Sequence, residues 1–441
     1  MMKEEFLHYL WKYSLYDRDN LIDSDGNKID VLNPGQYNRD SGPDFFNAKI
    51  RIGDTIWAGN IEIHTHASHF LSHGHQVDPA YNNVILHIVA VNDRTILNSR
   101  GEEIPSAELR FDGSLYERYQ DLVNNPSLIA CQDYIKGADR LILREWLESL
   151  AVERLSRKAG AISDLLLKTE NDWEEVFYRM LCRYFGFKVN TEPFVMLSEA
   201  LPFRIIRKHA DNIFQIEALL FGAAGLLDEG MFREALSDNY YLDLIKEYKI
   251  LSAKYSIRQM HGWMWKFSRL RPVNFPTIRI SQLAHMLSAS GGLFSRVLET
   301  DESGKLKLLF EVPVSDYWRE HFIFGKKSRN TEKSTGSQAT DILIINAVIP
   351  VIFVYGRERG RQDICDRALD FLGNITPEQN KIISEWEVAG LIPESAFDSQ
   401  ALIQLREEYC KKRRCLECRI GGRLIRQGIR LKDEDDLMLE P

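Results

Sequence analysis

The sequence predicts an α+β protein: an N-terminal α/β core over residues 1–136, a large mostly α-helical domain over 137–405, and a basic, cysteine-bearing C-terminal segment over 406–441. Three observations predict it. Between Phe46 and Val91 apolar residues alternate with polar ones or run in a short block, the patterns of half-buried and fully buried strands. From about Gly137 they recur near a helical period, as at Leu141, Trp146, Leu147, Leu150, Leu155 and Ile162. Between Arg406 and Lys432 ten basic residues face three acidic ones, in a chain whose net charge is −8. That asymmetry points at a polyanionic partner, a nucleic acid, with a solvated basic helix and tail as the alternative.

The elements follow in order. Glu4 to Tyr16 reads as a helix with Phe6, Leu7, Leu10 and Trp11 on one side. Asp23 to Asn27 is a turn and Lys28 to Leu32 a first strand. Phe46, Ala48, Ile50 and Ile52 form the apolar phase of the next strand, and the Ser41-Gly42-Pro43 turn sets Asp44 at its mouth. From Trp57 to His66, Ile61, Ile63 and Thr65 point one way while Glu62, His64 and His66 point the other. Asn83 to Val91 is nearly all apolar, as in a strand covered on both faces. Ile104 to Asp112 adds an edge strand and Leu115 to Val123 a short helix. In the helical part, Gly325 to Ala339 is polar and basic, an exposed loop. The aromatic and basic residues from His261 to Arg271 read as core packing rather than a base-stacking surface.

Composition narrows the setting. The N-terminus MMKEEFLHYLWKY has no cleavable apolar segment, and the apolar run from Ile342 to Tyr355 falls short of the roughly 20 residues of a membrane span. A cytoplasmic protein with no membrane partner is expected. Six cysteines in 441 residues are too few for a disulfide scaffold.

Chemistry concentrates between Gly42 and Asp93. Six of the 11 histidines (His64, His66, His69, His73, His75 and His87) stand there with Asp44, Glu62 and Asp78. Three readings follow. Asp44 and Glu62 hold Mg²⁺ or Mn²⁺, hard cations that prefer carboxylate oxygen, and His64 orients or deprotonates a water. Alternatively His64, His66, His73 and His75 with Asp78 or Glu62 form a zinc or iron site for another hydrolysis. The third reading is non-catalytic: an internally hydrogen-bonded polar face in a protein or nucleic-acid interaction protein. His87, inside the buried strand, is structural in all three.

A second feature is Cys410-x4-Cys415-x2-Cys418, whose spacing suits zinc or an iron–sulfur cluster. Only three ligands are local, and Cys365, Cys182 or Cys131 would have to supply a fourth. Beside it Lys411, Lys412, Arg413 and Arg414 are the candidate nucleic-acid contacts.

The order Pro-Asp at a strand start, Glu-x-His on the next strand, a polar connection and a buried strand resembles the PD-(D/E)XK nuclease core. The resemblance covers the first quarter to third of the chain. It implies that Asp44 and Glu62 hold a divalent cation for phosphodiester hydrolysis of DNA or RNA; His64 stands where that superfamily has a Lys that helps activate water. The whole chain, from GPDF and EIH through RPVNFPTIRISQ to YCKKRRCLECRIG, also resembles an uncharacterised bacterial family known as a domain of unknown function.

Overall fold

The computed structural model describes residues 2–427 apart from 136, 229 and 289–291, and divides into two compact units. Met1–Ile142 and the chain from Glu407 form the first; Leu143–Arg406 forms the second.

The first unit opens with α1 (Glu4–Lys12), which has Glu4 and Glu5 in its first turn and Lys12 in its last, the charge order its dipole favours. It ends four residues before the expected Tyr16, because Ser14 turns to φ 53° and the chain leaves the helix. Its apolar side buries Phe6, Leu7, Leu10 and Trp11, and the Trp11 indole N–H donates to the carbonyl of Pro34 at 2.9 Å. The strands β1 (Ile29–Asn33), β2 (Gln36–Tyr37), β3 (Phe45–Ile52) and β4 (Thr55–His66) follow. A crossover then carries α2 (His69–Ser72) and two short turns before β5 (Val84–Val91). A small hairpin, β6 (Ile96–Leu97) with β7 (Glu103–Ile104), precedes β8 (Ser106–Glu108) and α3 (Gly113–Asn124).

The main sheet runs β1-β3-β4-β5-β8, with β2 also pairing with β3. β1, β3 and β4 pair antiparallel; β5 and β8 join parallel. β4 and β3 meet through a two-residue turn at Gly53 and Asp54, with Gly53 at φ 58°. β4 begins to pair with β5 just after Gly59, and a Cβ at Gly59 would strike the Ile85 side chain and the Asn83 carbonyl.

The apolar phase of β3 is not quite the one the alternation predicts. Asn47 adopts φ 57°, the register slips between Phe45 and Ala48, and Phe45 rather than Phe46 is buried with Ala48 and Ile50. One extra residue in a bulge moves the side chains before it to the other face. The crossover lies over the parallel pair, where Phe70 and Tyr81 pack with Val84 and Val89.

Residues 407–427 are held within this unit by side chains from the first third of the chain. The Tyr9 hydroxyl donates to the Gly422 carbonyl at 2.8 Å, and Arg118 donates to the Ile425 carbonyl at 2.7 Å. Arg430 and Lys432, counted in the basic run, lie outside the described residues.

The second unit is helical, around a core that includes Phe185, Phe221, Trp318 and Ile352. Its N-terminal helix, Arg140–Lys168, begins just before the unit boundary and buries Trp146, Leu150, Leu155 and Ile162 at the predicted spacing. The apolar run after Asp341 is embedded in a longer helix, 337–358, with an 18-residue apolar window of mean hydropathy 1.9. By length and composition that helix would cross a membrane, and 72% of its apolar window is buried inside the protein. Pro350 has no N–H for the preceding turn, and the helix widens to a π turn at Ile344–Val348 just before it. The polar stretch after Gly325 is not wholly exposed. Lys333 is buried, with its ammonium donating to the carbonyls of Arg319 and His321 at 2.9 and 3.2 Å, as well as to that of Trp318. Three carbonyls can satisfy an ammonium, so one lysine of a polar run is drawn inward.

Candidate functional site

Strand alternation brings Glu62 and His64 to one face of β4, where they are 4% and 1% exposed. Asp44 arrives from the start of β3. Its backbone N–H donates to Glu62 Oε2 at 3.2 Å, and its Oδ2 accepts from the Ile63 N–H at 2.9 Å, so the two carboxylates are fixed side by side.

Two further elements complete the cluster. α1 packs against β4 and contributes Glu4 and His8, one turn apart and therefore on one face. Glu4 Oε1 lies 3.9 Å from His64 Nε2, and His8 Nε2 lies 3.3 Å from Asp44 Oδ2. From the crossover, His75 Nε2 sits 3.3 Å from Glu62 Oε1 and His73 Nδ1 sits 3.1 Å from His64 Nε2. His64 Nε2 is itself 3.6 Å from Glu62 Oε1. Among the described residues, His64, His73 and His75 present ligand atoms that all lie within 4.8 Å of one another.

Burial dominates the electrostatics. Desolvation, and then the neighbouring Asp44, push Glu62 up to about 9. Glu4 rises to about 7, again through burial, with His8 pulling it down and Asp44 pushing it up. Its Oε1 is buried without a hydrogen-bond partner. Burial and the imidazoles of His87 and His73 press His64 down to about 2, so it is neutral at physiological pH. His75 is lowered by burial and His73, against the pull of Asp44 and Asp78. His8 moves the other way: burial disfavours its charge, but the bond to Asp44 and the charge of Glu4 outweigh it and raise the imidazole.

His64 has both ring nitrogens engaged, Nδ1 with His87 Nε2 at 2.9 Å and Nε2 with His73 Nδ1 at 3.1 Å. A neutral imidazole has one donor and one acceptor, so these three rings form a directed chain. His87, fully buried and pressed down to about 3 by burial and His75, therefore supports the site directly by fixing the His64 tautomer.

Of the residues singled out from sequence, Asp44, Glu62, His64, His73 and His75 converge. His69 and His66 meet Thr65 Oγ1 instead, at 3.3 and 3.5 Å. Asp78 caps the turn at Pro79–Tyr81, accepting from the Ala80 N–H at 2.9 Å. Glu4 and His8 were not foreseen, although their spacing on the polar side of α1 was open to view. Tyr81 was also missed; its ring stacks on His75 at 3.9 Å between centroids.

His8 also lines a cavity of about 510 Å³ whose walls include Lys3, Lys12, Tyr37, Arg39 and Lys412. A basic, tyrosine-bearing cavity thus shares one residue with the carboxylate cluster. Of the four candidate nucleic-acid contacts, Lys412, Arg413 and Arg414 line it and Lys411 does not. Each has an internal partner: Lys411 with Glu407 at 3.3 Å, Lys412 with Glu408 at 2.6 Å, Arg414 with Glu417 at 2.5 Å, and Arg413 with the carbonyl of Ser127 at 2.9 Å.

A mixed sheet with a buried carboxylate and imidazole cluster, in a chain that is otherwise largely helical, defines an α+β protein with a candidate metal centre. The chain belongs to the family described as Protein of unknown function (DUF2851), whose model matches residues 4–381. No curated protein and no solved structure matches it.

Proposed function

We propose that the first unit is a divalent-metal-dependent phosphodiesterase, a nuclease acting on DNA or RNA, with Asp44 and Glu62 as metal ligands. The observation that carries this reading is the convergence of Asp44 and Glu62 with His64 at the adjacent strands β3 and β4. The PD-(D/E)XK resemblance, which implies two carboxylate ligands on neighbouring strands, supports the reading.

The residues fit a cation. A carboxyl pushed to about 9 beside a second carboxylate, and a buried Glu4 oxygen with no donor, are groups that a positive ion would satisfy. Carboxylates suit Mg²⁺ and Mn²⁺ while imidazole suits zinc and iron, so the mixed set fits Mn²⁺ best. When bound, such an ion lowers the pKa of water and neutralises phosphate charge. The protein's own groups do the rest. His64, neutral and tied to His73 and His87, carries no permanent charge where the superfamily has a Lys, and its lowered basicity suits it to orient a water rather than to deprotonate it. The raised His8, with Lys3 and Lys12 along the cavity, supplies positive charge for a phosphate instead.

The three imidazoles within 4.8 Å, with Glu62 beside His75, favour a second reading: a zinc or iron hydrolase. Metal-free protein assayed with Mg²⁺, Mn²⁺, Zn²⁺ or Fe²⁺ on single- and double-stranded DNA and on RNA separates them. Cleavage with Mn²⁺ or Mg²⁺ that disappears in Asp44→Asn is expected. Hydrolysis with zinc or iron alone selects the second reading, and none with any metal leaves an interaction protein.

A further inference from the structure

The C-terminal cysteines stand in a part of the first unit that the proposed hydrolytic site does not use. Cys410 ends a helical stretch, Cys415 sits in the turn after it, and Cys418 immediately precedes the helix Arg419–Gln427. The turn is tightly built. Arg413 adopts φ 54° with its N–H on the Cys410 carbonyl at 3.2 Å, and the Cys418 N–H donates to the Arg414 carbonyl at 3.2 Å. A Cβ at Gly421 would collide with the carbonyl of Cys415, so the helix start lies directly against that cysteine.

A second segment meets this turn. The Arg413 guanidinium donates to the carbonyls of Asn125 and Ser127 at 2.5 and 2.9 Å. Asn125 organises the same loop, accepting from the Ser127 N–H at 2.8 Å and donating to the Ala130 carbonyl at 3.2 Å. The next residue is Cys131. It is buried, as is Cys418, while Cys410 and Cys415 are half-buried. An arginine between the first two cysteines of the motif therefore clamps the loop that delivers the fourth.

The electrostatics agree with this placement. Burial is the main cause that holds the Cys131 thiol well above its ordinary value, with smaller contributions from Cys418, Cys410 and Cys415. Burial and Cys418 push Cys415 up to about 11, with Arg413 opposing. The other two candidates belong to the second unit, where the Cys182 thiol is next to Tyr178 and Glu175 and Cys365 is next to Asp366.

We propose that Cys131, Cys410, Cys415 and Cys418 form a four-thiolate metal site, taking a zinc ion or an iron–sulfur cluster, that fastens residues 407–427 to the loop after α3 in the first unit. Both centres are four-coordinate in cysteine sulfur and carry net negative charge once the thiols have ionised, which the neighbouring Arg413 offsets. Among the described residues, the ligand atoms gathered within 4.8 Å of one another are those of histidines and include no cysteine sulfur. One zinc ion with bonds of about 2.3 Å would draw its sulfurs to roughly 3.8 Å apart, so the wider setting suits the larger iron–sulfur cluster. The site would also fix Lys412 and Arg414, which line the basic cavity.

The test is metal content and ligation in the full chain, purified without oxygen. Iron with acid-labile sulfide, or zinc, at about one centre per chain is expected, with X-ray absorption at that metal's edge reading four sulfur neighbours. Cys131→Ser should lose the centre as completely as Cys415→Ser, whereas Cys365→Ser should keep it. Because the wild-type edge spectrum counts sulfurs without any variant, misfolding of Cys131→Ser does not decide the matter. No stoichiometric metal, three sulfurs with one nitrogen or oxygen, or full metal content in Cys131→Ser would each overturn the proposal. Nitrogen and oxygen ligation alone would report the histidine cluster and leave the thiols without metal, so the two sites fail separately.

Discussion

Two buried glutamates, one in each unit, show what separates a carboxyl group satisfied by hydroxyl donors from one that is not. Glu217, in the second unit, accepts hydroxyl hydrogens from Ser281 and Ser315 at 2.6 Å each and from Tyr240 as well. Glu62, in the first, accepts one backbone N–H at 3.2 Å and otherwise faces Asp44, His64 and His75. Both are almost wholly buried and both are raised by desolvation. The surroundings of Glu217 satisfy every lone pair that matters; those of Glu62 add a second carboxylate and further ligand atoms. Burial without satisfaction is costly, and it persists where a site binds something.

The largest expected effect comes from exchanging each glutamate in turn. Glu62→Gln should abolish Mn²⁺-stimulated cleavage, a loss of about 10³-fold or more, while the fold survives, because a neutral amide replaces a carboxyl that burial already keeps protonated without metal. Glu217→Ala should leave cleavage intact but destabilise the second unit by about 3 kcal/mol, since three hydroxyls lose their acceptor. Activity assays and thermal melts on both variants test the contrast. It breaks if Glu62→Gln unfolds the protein or if Glu217→Ala is neutral.

How much of this was readable beforehand differs between the two halves of the site. Glu62 and His64 follow from strand period alone, and Asp44 from a Gly-Pro turn ahead of a strand, because those rules are local. The apolar phase of β3 was misread by one residue, since nothing in Phe45-Phe46-Asn47 announces that Asn47 will bulge. Glu4 and His8 reach the cluster only because α1 docks on β4, a long-range choice made by Phe6, Leu7, Leu10 and Trp11. Cys131 is further still from local rules. Its placement depends on Arg413 closing a loop across most of the chain. Lys333 shows the converse: a residue in a polar run reads as exposed until three carbonyls happen to surround it.

His64 gives the next largest effect. His64→Ala should lower cleavage about 10²-fold, the order of loss when a group that positions the reacting water is removed. His64→Lys restores the residue of the nuclease superfamily and should retain activity if the two positions are equivalent. Loss in both variants, with metal content unchanged, would mean that the imidazole acts through its bonds to His73 and His87.

The cavity should yield smaller changes. Charge reversal at Lys12, Arg39 and Lys412, which line it, should weaken nucleic-acid binding about tenfold together and reduce its salt dependence, with little regard to sequence. Lys411, which does not line it, serves as the control. Equal effects from Lys411 and Lys412 would assign binding to the general charge of the segment rather than to the cavity.

The smallest effect, a few degrees in melting temperature, follows from the pH behaviour of the metal-free cluster. Glu62 rises from 4.5 to about 9 and Glu4 from 4.5 to about 7, so the native state holds protons there that the unfolded chain has released. Their contribution is complete below pH 4.5 and is lost as pH rises through those folded values. His64 and His87 fall from 6.5 to about 2 and about 3, so theirs is complete above pH 6.5 and is lost as pH drops. Between pH 4.5 and 6.5 the two pairs oppose each other and stability should be nearly flat. Above pH 7 Glu62 lowers the stability of the first unit toward pH 9, while Lys158 in the second, brought down to about 7 by burial, acts the other way, so the decline is read as the difference between wild type and Glu62→Gln. A bound cation favours the ionised carboxylate, so saturating Mn²⁺ should remove that decline, and Glu62→Gln should remove it without metal. Melts at pH 6 to 9 with a chelator, with Mn²⁺ and for the variant give the three curves. An alkaline decline that persists in Glu62→Gln would show that another group causes it, and Glu62 would then resemble Glu217 more than its surroundings suggest.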